Sequence, residues 1–180
     1  MKLLLHTCCA PCAIYPIDQA KKDKFEVTGF FSNSNIHPQG EYIKRKNAAR
    51  ELFKREGLEL FFVTYDASDF FRMVAGDAQP PERCSICWKM RLEETVSFAE
   101  KNGFDAFTTT LLGSPYQDHE ILRRICESLS AKSSVRFYYK DFRDGFRIGH
   151  KEAKEKSLYC QRYCGCIFSM VEREVRTSPR

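Results

Sequence analysis

Seven of the nine cysteines in this 180-residue chain fall into three short groups: Cys8-Cys9 with Cys12, Cys84-Ser85-Ile86-Cys87, and Cys164-Gly165-Cys166. A C-x-x-C that opens a helix can put two thiolates on one metal centre, with the helix N-terminus stabilising their charge. An odd number of cysteines cannot all pair, and neighbours such as Cys8-Cys9 or Cys164-Gly165-Cys166 would make strained, easily reduced bridges. Metal binding or redox chemistry is therefore the first use to consider. A structural zinc site would take four thiolates. An iron–sulfur cluster also takes four and accounts better for a surplus. A metal-free thiol–disulfide enzyme would need only one pair. The residue types alone leave all three open, with the iron–sulfur centre favoured.

The remaining candidates read more plainly. Cys126 sits among Ile121, Leu122, Ile125 and Leu129 at helical spacing, which makes it a core residue. Cys160 reads as a non-ligand, Trp88, Phe98 and Phe107 as core, and His150 as a solvated surface residue. His6 fits either a packed position or a supporting one beside the thiols. Lys44, Arg45, Lys46, Arg50, Lys54 and Arg55 crowd one segment among Glu41, Glu51 and Glu56, either as a solvated helix face or as one that meets RNA. Lys140, Arg143, Arg147, Lys151, Lys154 and Arg162 interleave with Tyr138, Tyr139, Phe142, Phe146, Tyr159 and Tyr163, a mixture suited to phosphate neutralisation and base stacking. A net charge of +5 permits such a partner without demanding it.

These residues need elements to position them. Short apolar runs at 2–5, 25–31, 58–64, 104–112 and 135–139 read as strands. Helices are expected over 13–22, with Pro16 in the first turn, and over 41–56, 68–75, 84–101 and 117–130, with two short helical segments filling the rest. The alternation gives an α/β fold around a mainly parallel sheet of about five strands with flanking helices, a single domain spanning 1–180. Ligands of such sheets bind beyond the carboxyl ends of the strands. That rim carries the loop from His6 to Cys12 and the loop from Leu112 to His119. No run approaches the roughly 18 apolar residues of a membrane span. The apolar start of the chain ends at His6 with no small-residue cleavage site after it, so it reads as a strand of a cytoplasmic protein and not as a signal peptide.

Several motifs together resemble one family. They are Leu4-Leu5-His6-Thr7-Cys8-Cys9-Ala10-Pro11-Cys12, Asn33-Ser34-Asn35-Ile36-His37-Pro38, Glu82-Arg83-Cys84-Ser85-Ile86-Cys87 with Arg91-Leu92, Thr108-Thr109-Thr110-Leu111-Leu112, Ser114-Pro115-Tyr116-Gln117 and Tyr163-Cys164-Gly165-Cys166. In this order, over about residues 2–168, they look like the cobalamin-independent epoxyqueuosine reductases (QueH). Gln79-Pro80-Pro81 and Cys160 depart from that pattern, which touches loop geometry and not the thiol set.

The resemblance implies a HUP/Rossmann-like fold, a 4Fe–4S cluster and room for an additional iron ion. It also implies reduction of epoxyqueuosine at the wobble position of tRNA, with an external electron donor and no membrane. On this reading Cys8, Cys9, Cys84 and Cys87 hold the cluster, with Cys12 as a further candidate ligand. Cys164 and Cys166 form a redox-active dithiol or ligate the extra iron. Tyr116, Asp118 and His119 are candidates to donate protons or touch substrate, and Lys44, Arg45, Arg50, Arg143 and Arg147 to contact RNA. The competing reading is a zinc-stabilised tRNA-binding module without redox catalysis. An ATP-using relative of the same fold fits less well, because the first loop carries cysteines and Pro11 where a phosphate loop needs Gly and Ser.

Overall fold

The computed structural model describes residues 1–77 and 79–177. Five parallel strands form the sheet: β1 Lys2–His6, β2 Glu26–Phe31, β3 Leu60–Phe62, β4 Ala106–Thr109 and β5 Arg136–Phe137, in spatial order β3-β2-β1-β4-β5. The helices are α1 Ala10–Lys22, α2 Gln39–Arg55, α3 Ala67–Val74, α4 Glu82–Lys101, α5 His119–Ser130, α6 Phe146–Glu155 and α7 Ile167–Thr177. The order reverses on either side of β1, so the crevice between the ends of β1 and β4 is the natural ligand position. Among the described residues no helix is long and apolar enough to cross a membrane.

β1 explains why the first run is apolar throughout. Successive side chains of a strand face opposite ways. Leu3 and Leu5 pack with Ile14, Ile17, Leu52 and Phe53 from α1 and α2, while Leu4 packs with Phe30, Leu92, Phe107 and Leu122 on the other face. Both faces are covered from Leu3 to Leu5, so none of these three positions is polar, whereas Lys2 at the strand's start is exposed. Cys126 lies wholly buried in the second layer, as its helical spacing implies, with Trp88 and Phe107.

Several boundaries differ from the sequence pattern, and β3 keeps only Leu60–Phe62 of 58–64. α1 begins at Ala10, not at 13, because Pro11 takes the opening position and Pro16 falls inside the helix. Lacking an N–H, Pro16 leaves the Cys12 carbonyl without its helical donor. The threonine-rich strand stops at Thr109, whose hydroxyl accepts from Leu111 N at 3.1 Å and starts a short 3-10 turn, Thr110–Gly113. β5 keeps only Arg136–Phe137 of the longer run. α6 lies close on α1 because Gly149 has no side chain: a Cβ there would sit 2.3 Å from the Pro11 carbonyl oxygen.

Candidate metal centre

The strand ends are tied first. His6 is fully buried; its Nδ1 lies 2.8 Å from the Thr109 hydroxyl and its Nε2 3.3 Å from the Ser32 carbonyl. It thus joins β1 to β4 and to the segment after β2, and does not touch a thiol. Burial holds its pKa at about 3, with the Arg91 charge adding to the effect. The imidazole stays neutral in the folded state, whereas the unfolded chain takes up a proton near the ordinary 6.5. The unfolded state therefore binds more protons below pH 6.5, and stability should fall with pH from there toward 3. The slope from His6 reaches about 1.4 kcal/mol per pH unit. Urea midpoints across that window, compared with His6→Asn, measure it; identical pH slopes for the two proteins would refute the assignment.

Beyond His6 the chain places three thiols together. The Sγ atoms of Cys8, Cys9 and Cys12 all lie within 4.8 Å of one another, with Cys8 and Cys9 3.6 Å apart. Thr110 braces Cys8 twice: its hydroxyl accepts from Cys8 N at 3.1 Å and donates to Cys8 Sγ at 3.2 Å. Hydrogen bonds from Cys12 and Cys9, helped by Arg91 and Thr110, pull the Cys8 thiol well below its ordinary pKa. Burial pushes Cys9 up, and the bond to Cys8 pushes Cys12 up, so the group has one favoured thiolate.

The other four rim thiols influence one another through their charges. Cys84 and Cys87 occupy the first two turns of α4, and the charges of Cys164 and Cys166 help raise both, after burial. Burial takes Cys87 to about 12. Cys87 and Cys166 share an apolar cluster with Phe70 and Val74, while Cys164 is exposed and accepts from Gln117 Nε2 at 3.3 Å. The family pattern puts Cys8 and Cys9 with Cys84 and Cys87. The three sulfurs gathered in the fold are Cys8 and Cys9 of that set with Cys12, the further candidate, and the charges of Cys164 and Cys166 act on Cys84 and Cys87.

Buried cations link the groups. Arg91 is 2 % exposed, donates to Asn33 Oδ1 at 2.6 Å, and places its charge on Cys8, Cys87 and Cys164. Among the described residues it has no ion-pair partner, and its Nε has no hydrogen-bond acceptor. A buried cation without an anion is costly. A thiolate at Cys8, which the Arg91 charge favours, would supply the missing counter-charge.

Arg45 corrects a sequence expectation. It does not face solvent or RNA; it is 1 % exposed. Its Nε donates to Glu41 at 2.7 Å, and its Nη1 and Nη2 donate to the carbonyls of Cys164 and Tyr163 at 2.8 and 3.0 Å. Lys44 and Arg50 remain exposed on α2. Gly165 takes φ +151° there, and a Cβ would meet Asn35 Nδ2 at 3.2 Å, so the C-x-C needs glycine at its centre.

The rim loop also differs from expectation. Asp118 is the N-cap of α5, accepting from Ile121 N at 2.9 Å, so one of its carboxylate oxygens is held by the helix. His119 Nε2 lies 3.2 Å from the Tyr139 hydroxyl. Tyr116 projects into solvent. Arg143 is held by Asp141 through contacts of 2.9 and 3.0 Å from its Nε, whereas Arg147 is exposed. Besides Thr110, the side chains of Gln117, Gln161 and Arg91 reach thiols, Gln161 at 3.5 Å from Cys12. Sequence reasoning gave none of them a role, although Gln117 and Arg91 stand inside its motifs.

The chain is similar to known proteins over nearly its whole length. The family model described as Epoxyqueuosine reductase QueH matches residues 3–172. A relative of that name from Dehalococcoides mccartyi is 36 % identical over 96 % of this chain and 94 % of its own length. One from Thermotoga maritima is 32 % identical over 95 % and 91 %. A solved structure described as a predicted subunit of tRNA methyltransferase from Methanocaldococcus jannaschii shares the fold, with TM-score 0.57 and 14 % identity over 85 % of this chain and 75 % of that one. With a match spanning nearly its whole length and relatives at such identity, the chain belongs to the epoxyqueuosine reductase QueH family of oxidoreductases.

Proposed function

We propose that this protein reduces epoxyqueuosine to queuosine in the anticodon loop of tRNA, using an iron–sulfur centre and an additional iron held by its seven rim thiols. The observation that carries the metal reading is the gathering of Cys8, Cys9 and Cys12 within 4.8 Å. Tetrahedral ligation at about 2.3 Å per thiolate separates sulfurs by about 3.8 Å, close to the 3.6 Å between Cys8 and Cys9. That spacing supports a single ion at Cys8, Cys9 and Cys12. Cys84, Cys87, Cys164 and Cys166 are then four thiols for a 4Fe–4S cluster, the number such a cluster takes.

Opening the epoxide to an alkene consumes two electrons and two protons and releases water; the bound metals supply the electron path and a Lewis acid for the oxygen. The protein's own groups prepare the site. Arg91 holds positive charge beside Cys8 and Cys87, Thr110 fixes Cys8, and Gln117 orients Cys164. His119, whose Nδ1 has no hydrogen-bond partner among the described residues, is a rim residue that would pass a proton.

Anaerobically prepared protein should contain iron and acid-labile sulfide, and with a chemical reductant it should convert tRNA carrying epoxyqueuosine. Cys12→Ala should cost one iron per chain without loss of sulfide. The Cys164→Ala/Cys166→Ala double variant should lose sulfide. Retained sulfide with lost turnover would return that pair to the role of a two-electron dithiol. Stoichiometric zinc with no sulfide and no conversion would leave the zinc-stabilised RNA-binding module as the better reading.

A further inference from the structure

Tyr116 is 83 % exposed, in a loop that is otherwise pinned. Its own N–H is held by Ser114 Oγ at 3.2 Å, Gln117 is anchored on Cys164 at 3.3 Å, and Asp118 caps α5. A large aromatic ring left in water on a fixed loop has no role in packing, and such rings mark contact surfaces. Phe146, at the start of α6, meets it edge-on with ring centroids 5.7 Å apart. Between them opens a groove of about 470 Å³ lined by Pro115, Tyr116, Arg143, Asp144, Phe146 and Arg147. This volume lies within the roughly 300–1,000 Å³ of small-ligand sites.

The charges in the groove are unequal. Arg143 is balanced by Asp141. Arg147 is exposed and makes no ion pair or hydrogen bond among the described residues, so its guanidinium is available to a phosphate. An aromatic platform beside an uncommitted cation is the pairing that single-stranded RNA uses: a splayed base stacks and the backbone is neutralised. The platform residue directly precedes Gln117, whose side chain touches Cys164, so a base stacked on Tyr116 would neighbour the nucleotide delivered to the thiols.

We propose that this groove is a nucleotide subsite: Tyr116 stacks an unpaired base next to the modified one, and Arg147 neutralises its phosphate. The assignment rests on the anticodon-loop reading above and names where that loop is gripped.

The test uses metal-loaded protein and fluorescence anisotropy with an anticodon stem-loop RNA, compared with a duplex of equal length. Tyr116→Ala should weaken stem-loop binding roughly tenfold, within the range of one lost base–aromatic stack, while Tyr116→Phe binds like the parent. Arg147→Gln should lower the magnitude of the salt slope by about 0.7, one single-strand phosphate contact. An abasic nucleotide at one of the two positions flanking the wobble base should weaken the parent about as much as Tyr116→Ala, and the two changes together should cost no more than either. Iron content should be unchanged in all three variants.

Parent protein that prefers the stem-loop while Tyr116→Ala binds it equally well would overturn the subsite and leave the substrate reading standing. Fully additive losses at both flanking positions would do the same. Parent protein with no preference for the stem-loop would overturn both.

Discussion

Arg45→Ala should destabilise the protein by about 3–5 kcal/mol, the cost of removing one member of a buried ion pair. The reason lies in what the guanidinium leaves behind. Glu41, 7 % exposed, would keep a buried carboxylate with only the Tyr159 hydroxyl, at 2.5 Å, to satisfy it. The carbonyls of Tyr163 and Cys164 would lose donors at 3.0 and 2.8 Å. Arg45→Lys keeps the charge but cannot present a planar fork to three acceptors, so it should fall between the two. Lys44→Ala, on the exposed face of the same helix, should change stability by less than about 0.5 kcal/mol. Anaerobic urea titrations supply the comparison. Because Arg45 also anchors the backbone at Cys164, the Ala variant should expose Cys166 to thiol reagents faster than the parent. A loss below 1 kcal/mol with unchanged thiol reactivity would mean that the C-terminal cysteines are held by other contacts.

The second large effect concerns α4. Cys84→Ala or Cys87→Ala should remove most of the iron and sulfide, and turnover with them, because thiolate bonds hold the cluster. Cys126→Ala should retain both. Cys126 is as deeply buried as any thiol in the molecule, but it sits in the apolar layer with Leu122 and Phe107 and outside the three cysteine groups of the sequence. The contrast matters: a general loss of folding would strip metal from all three variants, whereas a ligand role strips it from two. Iron, sulfide and zinc analysis of anaerobically purified proteins decides the matter, with circular dichroism to check the fold. Full iron and sulfide in both α4 variants would remove this helix from the ligand set.

The sequence by itself determined the strand and helix order, the placing of the cysteine loops at the strand ends, and the core position of Cys126. These follow from local periodicity: Leu3, Leu4 and Leu5 can be apolar together only in a strand covered on both faces, and an amphipathic stripe fixes which side of α5 is buried. Pro16 misled because a proline suits a first turn equally well, and only the position of Pro11 in the folded loop moves the start to Ala10.

Arg45 shows where local reading stops. It stands at helical spacing from Tyr42, Ala48, Ala49 and Leu52, which are buried, so its place on the inner stripe of α2 can be traced in the sequence. A charge on that stripe is tolerable only with partners, and those lie more than a hundred residues away at Tyr163 and Cys164. The same holds for the thiols. Spacing along the chain divides them into three groups, but which of them meet is set by how the β1 loop, α4 and the C-terminal turn converge around Arg91. Those approaches are fixed by packing between distant elements, and packing has no local period from which to be read.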